Sequence, residues 1–440
     1  GCMYHEIGHH KSHAAHAHYS SRFNNSLIIS IDAGGWDRIG THSQVSSVCV
    51  FRGEENKIND VNLFPINQLN VGGIWHDTLV PLFKLSNGPP KGNQAGTIMA
   101  MAAIGEEEAF MKEFYASFRH PHLFHNAISQ IQQYIEEKEH NKYNVAKGLQ
   151  KATEKVIRQL IEMYIKDDDK YICFTGGVAL NSVSMGKVLD WFPQLEDIFI
   201  PIVPYDGGLS IGSAQYAYHH IMDNPKLTNE EYFKPYLGIN YSEDKVKEDL
   251  NKFKDKITIH TKDDTDVVKK LSQNKIISVF NGKSESGRRA LGNRSILADP
   301  RSEGMKDLIN EKVKHRQWFR PFAPSILKEE TSTWFERSVD SPYMGVVVPF
   351  KKDKRDKVPA VVHLDGTGRL QTVSKDINKW YYNFIKTWQK ESGVPILLNT
   401  SFNDREPIVE TPEDAIKCFL GTDIDYLYFP QYHLLIEKKK

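Results

Sequence analysis

Six of the eighteen histidines lie within the first eighteen residues, and His9 and His13 among them stand four apart in the run GHHKSHAAHA. If that run is helical, both imidazoles leave one face and can converge on a single metal ion, while His10 points elsewhere. Asp32 ends the apolar run SLIISID, where a strand emerges into a cleft. Asp206 occupies an equivalent strand-to-glycine turn and offers a second carboxylate. The HxxxH spacing alone is weak, but two histidines with two oxygen ligands make a set suited to iron, manganese or zinc.

A second concentration of chemistry lies in GKSESGRRALGNRSILADPR (282–301) and KVKHRQWFRPFAPSIL (312–327). Arg288, Arg289, Arg294, Arg301, Arg316 and Arg320 stand among glycine, proline and apolar residues instead of along a polar helix face. That pattern fits a cleft that receives anions. Tryptophan, proline and two phenylalanines around Arg320 imply a partly desolvated guanidinium, which requires an anionic partner. Lys314 and Arg320 are the strongest candidates. Arg369 in HLDGTGRLQTV, and Ser401 and Asn403 in LLNTSFNDREP, would add a cation, a hydroxyl and an amide donor. Trp318 and Phe319 read as packing residues rather than stacking platforms. The glycine pairs Gly34-Gly35, Gly176-Gly177 and Gly207-Gly208 each follow a predicted strand. There backbone N–H groups approach phosphate or ribose, with Asn181 placed to bond a sugar.

The elements that must position these groups are those of an α/β protein. SLIISIDAGG and SSVCVF read as two strands joined by a glycine-rich loop. Helical spacing between Val145 and Lys166 precedes the buried strand YICFTGG. The helix ALNSVSMGKVLDWF, the strand DIFIPIV and the helix LSIGSAQYAYHHIM continue the alternation. Prolines and a glycine between Asp223 and Ser242 place a domain boundary near Tyr236, dividing the chain into 1–236 and 237–440. The second half carries expected strands at Ile276, Tyr343, Ala360–His363 and Pro395. Its helices are expected near Glu303–Lys314, Asp376–Glu391 and Thr411–Leu420, and Lys351–Lys357 reads as a solvated loop.

Length and composition set the outer bounds. The 440 residues exceed what one hydrophobic core usually supports. Lysine plus arginine equals aspartate plus glutamate at 56 each, so no global field draws the chain to nucleic acid or anionic lipid. No apolar run approaches the ~18 residues of a membrane span, so no membrane partner is expected. Cys2, Cys49, Cys173 and Cys418 form no CxxC pair, which fits a reducing, cytoplasmic compartment. The opening Gly1-Cys2-Met3 reads as an internal cut.

Taken in order, HHKSHAAHA, SIDAGG, FTGGVALN, GRRALGNRSILADPR, HRQWFRPFAPSIL, HLDGTGRLQTV and LLNTSFNDREPIVETPEDA resemble the carbamoyltransferases of antibiotic and nodulation-factor biosynthesis, the NodU and CmcH type. The resemblance implies an actin-like ATPase-type N-terminal domain, here lacking its first segment, and a YrdC-like α/β C-terminal domain. It implies that carbamoyl phosphate and ATP with Mg²⁺ give carbamoyl-adenylate in the second domain. The carbamoyl group would then pass to an acceptor hydroxyl at a divalent metal, iron by family habit, in the first. The acceptor would be a sugar, an antibiotic, a nodulation glycan or a hydroxymethylated pyrimidine nucleotide or DNA.

On this reading Lys314, Arg320, Arg369, Ser401 and Asn403 bind carbamoyl phosphate and nucleotide phosphates, with Arg289 close by. Gly176, Gly177 and Asn181 face the nucleotide, and His9, His13, Asp32 and Asp206 hold the metal. The catalytic groups expected are Lys314, Arg320 and His10, and a homodimer is the default assembly. Where the family has a lysine before its MxLA segment, this chain has Thr97. Two alternatives stand beside this reading: a threonylcarbamoyl-type tRNA-modification enzyme, and a nucleotide-binding regulator without turnover.

Overall fold

The computed structural model describes residues 4–39, 42–85, 94–227 and 234–439. Gly1–Met3, and with them Cys2, lie outside the described residues. The chain is mixed α/β and divides into two compact units, Gly1–Tyr232 and Phe233–Lys440. Tyr236, expected to close the first domain, belongs to the second. It bridges to Glu285, and its hydroxyl donates to the Leu291 carbonyl at 3.0 Å.

In the first unit, helix α1 (His9–Ser20) packs on a five-stranded sheet. The strands are β1 (Asn25–Ile39), β2 (His42–Glu54), β3 (Lys57–Pro65), β4 (Tyr171–Thr175) and β5 (Asp197–Phe199), in the order β3-β2-β1-β4-β5. β1, β2 and β3 pair antiparallel, whereas β1–β4 and β4–β5 are parallel. β1 does not stop at Asp32, as its sequence suggested. The register with β2 shifts between Ile31 and Gly35, and the strand then continues to Ile39. Gly34 and Gly35 therefore lie within the strand at a bulge, not in a joining loop, and the bulge turns the chain where Asp32 leaves the sheet. Pairing with β4 ends one step earlier, at Ser30 opposite Thr175, so Asp32 stands just past the carboxyl end of β4, at the bulge within β1.

Helix α2 (Asn141–Tyr164) covers one buried stripe, with Leu149, Ala152, Val156 and Leu160 inside. Met163, read with that stripe, is exposed. The stretch read as one helix after β4 is a 3₁₀ turn, Gly177–Leu180, and two short helices, Ser182–Gly186 and Val188–Trp191. Helix α3 (Leu209–Tyr216) then crosses α1 at backbone distance. A Cβ on Gly212 would stand 1.8 Å from the Ser12 carbonyl oxygen. Gly212→Ala is therefore expected to destabilise the unit by about 1–3 kcal/mol, the usual cost of overpacking, and to lower bound metal with it. Gly304→Ala, where nothing lies within 4 Å, is the matched control. Thermal melting together with metal content distinguishes the two.

The second unit is built on an eight-stranded mixed sheet. Its strands include β6 (Ile257–Thr261), β7 (Ile277–Phe280), β8 (Arg294–Ala298), β9 (Ala323–Leu327), β12 (Gln371–Val373), β13 (Ile396–Ser401), β14 (Tyr426–Phe429) and β15 (Leu434–Lys438). They lie in the order β12-β9-β13-β8-β7-β14-β15-β6, and a separate pair joins β10 (Val347–Pro349) to β11 (Thr367–Arg369). Helix α4 (Met305–Lys312) packs on the turn Pro359–Val361, and α5 (Lys379–Ser392) lies on the sheet, burying Tyr381, Phe384, Ile385 and Trp388. Ala360–His363, expected as a strand, is mostly the 3₁₀ turn Pro359–Val361. The charged run is likewise a 3₁₀ segment, Lys352–Lys357, with none of its residues buried.

Candidate functional site

The N-terminus of α1 lacks a side-chain cap of its own; Gly8 precedes it. The cap comes from β1 instead. Asp37 Oδ1 accepts the backbone N–H of His10 at 2.8 Å and that of Lys11 at 3.4 Å, satisfying donors a helix start leaves open. Burial raises the Asp37 carboxyl to about 6, against those hydrogen bonds. Ala14, Ala15 and Ala17 keep α1 narrow enough to be covered from several sides. The helix is thus held rigidly between the sheet and α3.

On this helix the Nε2 atoms of His9 and His13 face the two carboxylates. His9 Nε2 lies 3.8 Å from Asp32 Oδ2 and 3.7 Å from Asp206 Oδ1; for His13 Nε2 the distances are 3.2 and 3.6 Å. One ligand atom from each of the four lies within 4.8 Å of the others. Both Nε2 atoms are buried without a hydrogen-bond partner, which is costly unless a ligand takes their lone pairs. Burial opposes charge on both His13 and Asp32. The carboxylates of Asp206 and Asp32 nevertheless raise the His13 pKa, and the imidazoles with the Gly177 N–H hold Asp32 well below the usual carboxylate range.

Several expected donors prove to be spent within the chain. The Gly177 N–H, expected to face phosphate, donates to Asp32 Oδ2 at 2.9 Å and so aims the carboxylate. Gly176, at φ +84°, donates to the Pro204 carbonyl. Asn181 caps the next helix through Ser184 N–H at 3.1 Å and donates to Gln150 Oε1 at 2.9 Å, so its amide is turned to α2 rather than to a sugar. His10, expected among the catalytic groups, is wholly buried, with Nδ1 bonded to Ser30 Oγ at 2.6 Å and Nε2 to the Ser46 carbonyl at 3.0 Å. Desolvation lowers its pKa to about 3, which keeps the imidazole neutral near pH 7, and both ring nitrogens are engaged in holding α1 to the sheet. Thr97 is buried on its helix and donates to Gln94 Oε1 at 3.1 Å.

In the second unit Lys314 follows α4 and is 5 % exposed. Its ammonium donates into a cage of four oxygens: Ser401 O at 2.9 Å, Ser401 Oγ at 3.3 Å, and Asn403 O and Oδ1 at 2.6 Å each. Burial, then Arg316, pushes its pKa down to about 7. Ser401 Oγ also donates to Asn403 Oδ1, and Asn403 Nδ2 to the Glu406 carbonyl. The hydroxyl and amide expected to face a ligand here bind the β13 loop to Lys314.

Four guanidiniums gather nearby. Burial disfavours the charge on Arg369, and Arg289, Arg320 and Arg316 each add to that cost; Arg316 and Arg320 are destabilised first by burial as well. All four side chains are half-buried, and like charges drawn together in partly desolvated surroundings favour an anion beside them.

Two arginines of the sequence cluster do not belong to this group. Arg294 is fully buried, with its guanidinium 3.5 Å from the Phe280 ring centroid and donating to the carbonyls of Asn281, Asn293 and Gly282. Arg301 pairs with Asp299 at 2.7 Å and lies over Trp388. Arg316, one of the arginines of the sequence cluster though not among the residues assigned to phosphate, joins the group, and the imidazole of His363 lies in the field of Arg369. Trp318, expected to pack, is 55 % exposed; Phe319 beside it is buried.

Residues 4–215 match the family model described as Carbamoyltransferase N-terminus, and residues 268–437 the one described as Carbamoyltransferase C-terminus. Nodulation protein NolNO of Sinorhizobium fredii is 33 % identical over 98 % of this chain and 64 % of its own length. Nodulation protein NolO of Bradyrhizobium diazoefficiens is 32 % identical over 96 % and 77 %, respectively. An uncharacterized protein, MJ1058, of Methanocaldococcus jannaschii is 31 % identical over 98 % and 73 %. The chain thus spans between 64 % and 77 % of the length of these relatives. No helix among the described residues is long and apolar enough to cross a membrane.

Proposed function

Because the chain belongs to the carbamoyltransferase family, we propose that it makes carbamoyl-adenylate in its second unit and transfers the carbamoyl group to an acceptor hydroxyl in its first. The observation that carries the first step is the gathering of Arg289, Arg316, Arg320 and Arg369 beside the caged Lys314. Carbamoyl phosphate and water give carbamate and phosphate, and carbamate attacks the α-phosphorus of ATP, releasing pyrophosphate. The guanidiniums offset the charge of the phosphates and of the pentacoordinate transition state, while the Lys314 cage fixes the wall of the site.

For the second step, His9, His13, Asp32 and Asp206 would hold a divalent ion, iron being the family expectation, which would polarise the carbamoyl carbonyl as a Lewis acid. The two unpartnered imidazole nitrogens and the carboxylates facing them support this reading. Gly177 and the bulge at Gly35 keep Asp32 oriented, and α1 keeps the two imidazoles one turn apart. The acceptor oxygen replaces AMP on the carbamoyl carbon, and the hydroxyl proton leaves to solvent or to a base of the site. The strand order of the first unit supports the actin-like assignment. The YrdC-like assignment of the second unit rests on its sequence motifs. A small-molecule hydroxyl is the acceptor class favoured, since the chain has no net charge with which to hold a polyanion.

The test is pyrophosphate release from ATP and Mg²⁺, with and without carbamoyl phosphate and without acceptor. Release that requires carbamoyl phosphate and vanishes in Arg320→Ala and Arg369→Ala is expected. Release without carbamoyl phosphate, or none from folded protein, overturns the activation step.

A further inference from the structure

In the segment Arg288–Arg294, Arg289 stands close enough to Arg369 to disfavour its charge, and two guanidiniums repel. Something must hold the backbone against that force. Three successive contacts do so: Glu285 Oε1 accepts the N–H of Leu291 at 2.6 Å, of Asn293 at 2.9 Å and of Arg294 at 3.1 Å. Converging N–H groups of this kind form an anion cradle, the device by which glycine-rich loops bind phosphate. Here the chain's own carboxylate fills it.

The carbonyls of the segment are tied by donors from elsewhere. Asn399 Nδ2 donates to the Ala290 carbonyl at 3.1 Å, while Gln371 Nε2 and the Tyr236 hydroxyl donate to the Leu291 carbonyl at 3.2 and 3.0 Å. Gly292 sits at φ +113°, with Tyr381 so close that a Cβ would stand 2.5 Å from its ring. The loop is thus tied on both sides, and Glu285 is a charged anchor that meets three of its N–H groups.

We propose that Glu285 is a positioning residue of the anion site: its carboxylate occupies the backbone cradle of residues 291–294, fixes Arg289 in the cluster, and leaves phosphate to be held by guanidinium side chains rather than by main-chain N–H groups. This rests on the reading that the arginine cluster receives a phosphate, and it adds the residue that shapes the cluster.

The experiment is calorimetric titration of the full chain with inorganic phosphate, in the wild type, Glu285→Ala and Glu285→Gln, each with and without formate, beside the pyrophosphate-release assay. Glu285→Ala should bind phosphate about 10- to 100-fold more weakly, as when an outer partner of a site is removed. Glu285→Gln, which keeps the shape and one acceptor oxygen, should fall between. The decisive sign is that of formate. In the wild type it competes with phosphate and weakens binding; in Glu285→Ala it refills the cradle and strengthens it. A merely structural role would not reverse that sign.

Wild-type affinity in both variants, or formate weakening binding in all three proteins alike, overturns the proposal. If Glu285→Ala does not fold, unchanged phosphate affinity in Glu285→Gln overturns it. A wild type that binds phosphate but releases no pyrophosphate defeats the carbamoyl-adenylate reading and leaves this inference standing. Normal release with unchanged affinity in the variants does the opposite.

Discussion

Asp32→Asn is expected to lower the affinity for a divalent ion by about 100-fold or more, beyond the loss seen when outer partners alone are removed. The substitution is isosteric, so the strand and the bulge are retained. What changes is the group facing the two Nε2 atoms at 3.2 and 3.8 Å. A carboxylate oxygen becomes an amide, without charge and a poor ligand. Metal content after dialysis against a weak chelator measures the effect, and content equal to the wild type would place the ion elsewhere.

The pH dependence supplies a second readout. A proton on His13 competes with a metal ion, and the carboxylates raise that proton's pKa above the ordinary 6.5 despite burial. Metal release on acidification should therefore begin above the range of an ordinary imidazole. In Asp32→Asn the weakened affinity should move the release midpoint to higher pH, because fewer protons suffice to displace a more loosely held ion. In the metal-free protein the sign of stability is the reverse. A raised histidine contributes stability that is fully present below 6.5 and is lost as pH rises through its folded value.

Lys314→Met should reduce carbamoyl-phosphate-dependent pyrophosphate release by about 10³-fold, the scale of removing a preorganised electrostatic group. Methionine fills the volume but leaves four oxygens without their donor, at about 1–3 kcal/mol for each that water cannot reach. Lys314→Arg should not restore activity, because a planar fork does not fit a cage built around a compact ammonium. Restoration by arginine would show that positive charge alone is what Lys314 supplies. An incoming anion favours the protonated amine, whose pKa near 7 is set by burial and Arg316. Phosphate binding should then take up a proton above neutrality and weaken as pH rises from about 7 toward 10. Calorimetry in two buffers of different ionisation enthalpy reads the proton directly. Conversely, a depressed lysine makes the folded state gain stability as pH rises between 7 and 10.5.

The convergence of His9, His13, Asp32 and Asp206 was legible because they carry local signals: an HxxxH spacing, and carboxylates placed beside a strand bend and a glycine turn. Their supports were not. Asp37 caps α1 from 27 residues away, and Gly212 meets Ser12 across 200 residues, separations at which periodicity carries no information. β3 escaped notice because KINDVNLFP buries only Ile58, as befits an exposed edge strand. In the second unit the density of arginine was plain. What takes Arg294 out of the cluster is a set of three carbonyl oxygens in segments whose shape the residue types do not encode. The same limit hid Glu285, one acidic residue among many until its three N–H partners are assembled around it.

The contact between α1 and α3 bears on how this centre can be redesigned. Two backbones that touch through a glycine allow no compensating change of side chain, so the distance between the histidine helix and the Asp206 turn is fixed for every descendant of this sequence that keeps the crossing. Exchanging the ligands at positions 9, 13, 32 or 206 is thus a search within a rigid frame. Variation in metal preference should come from donor chemistry, with ligand spacing almost constant.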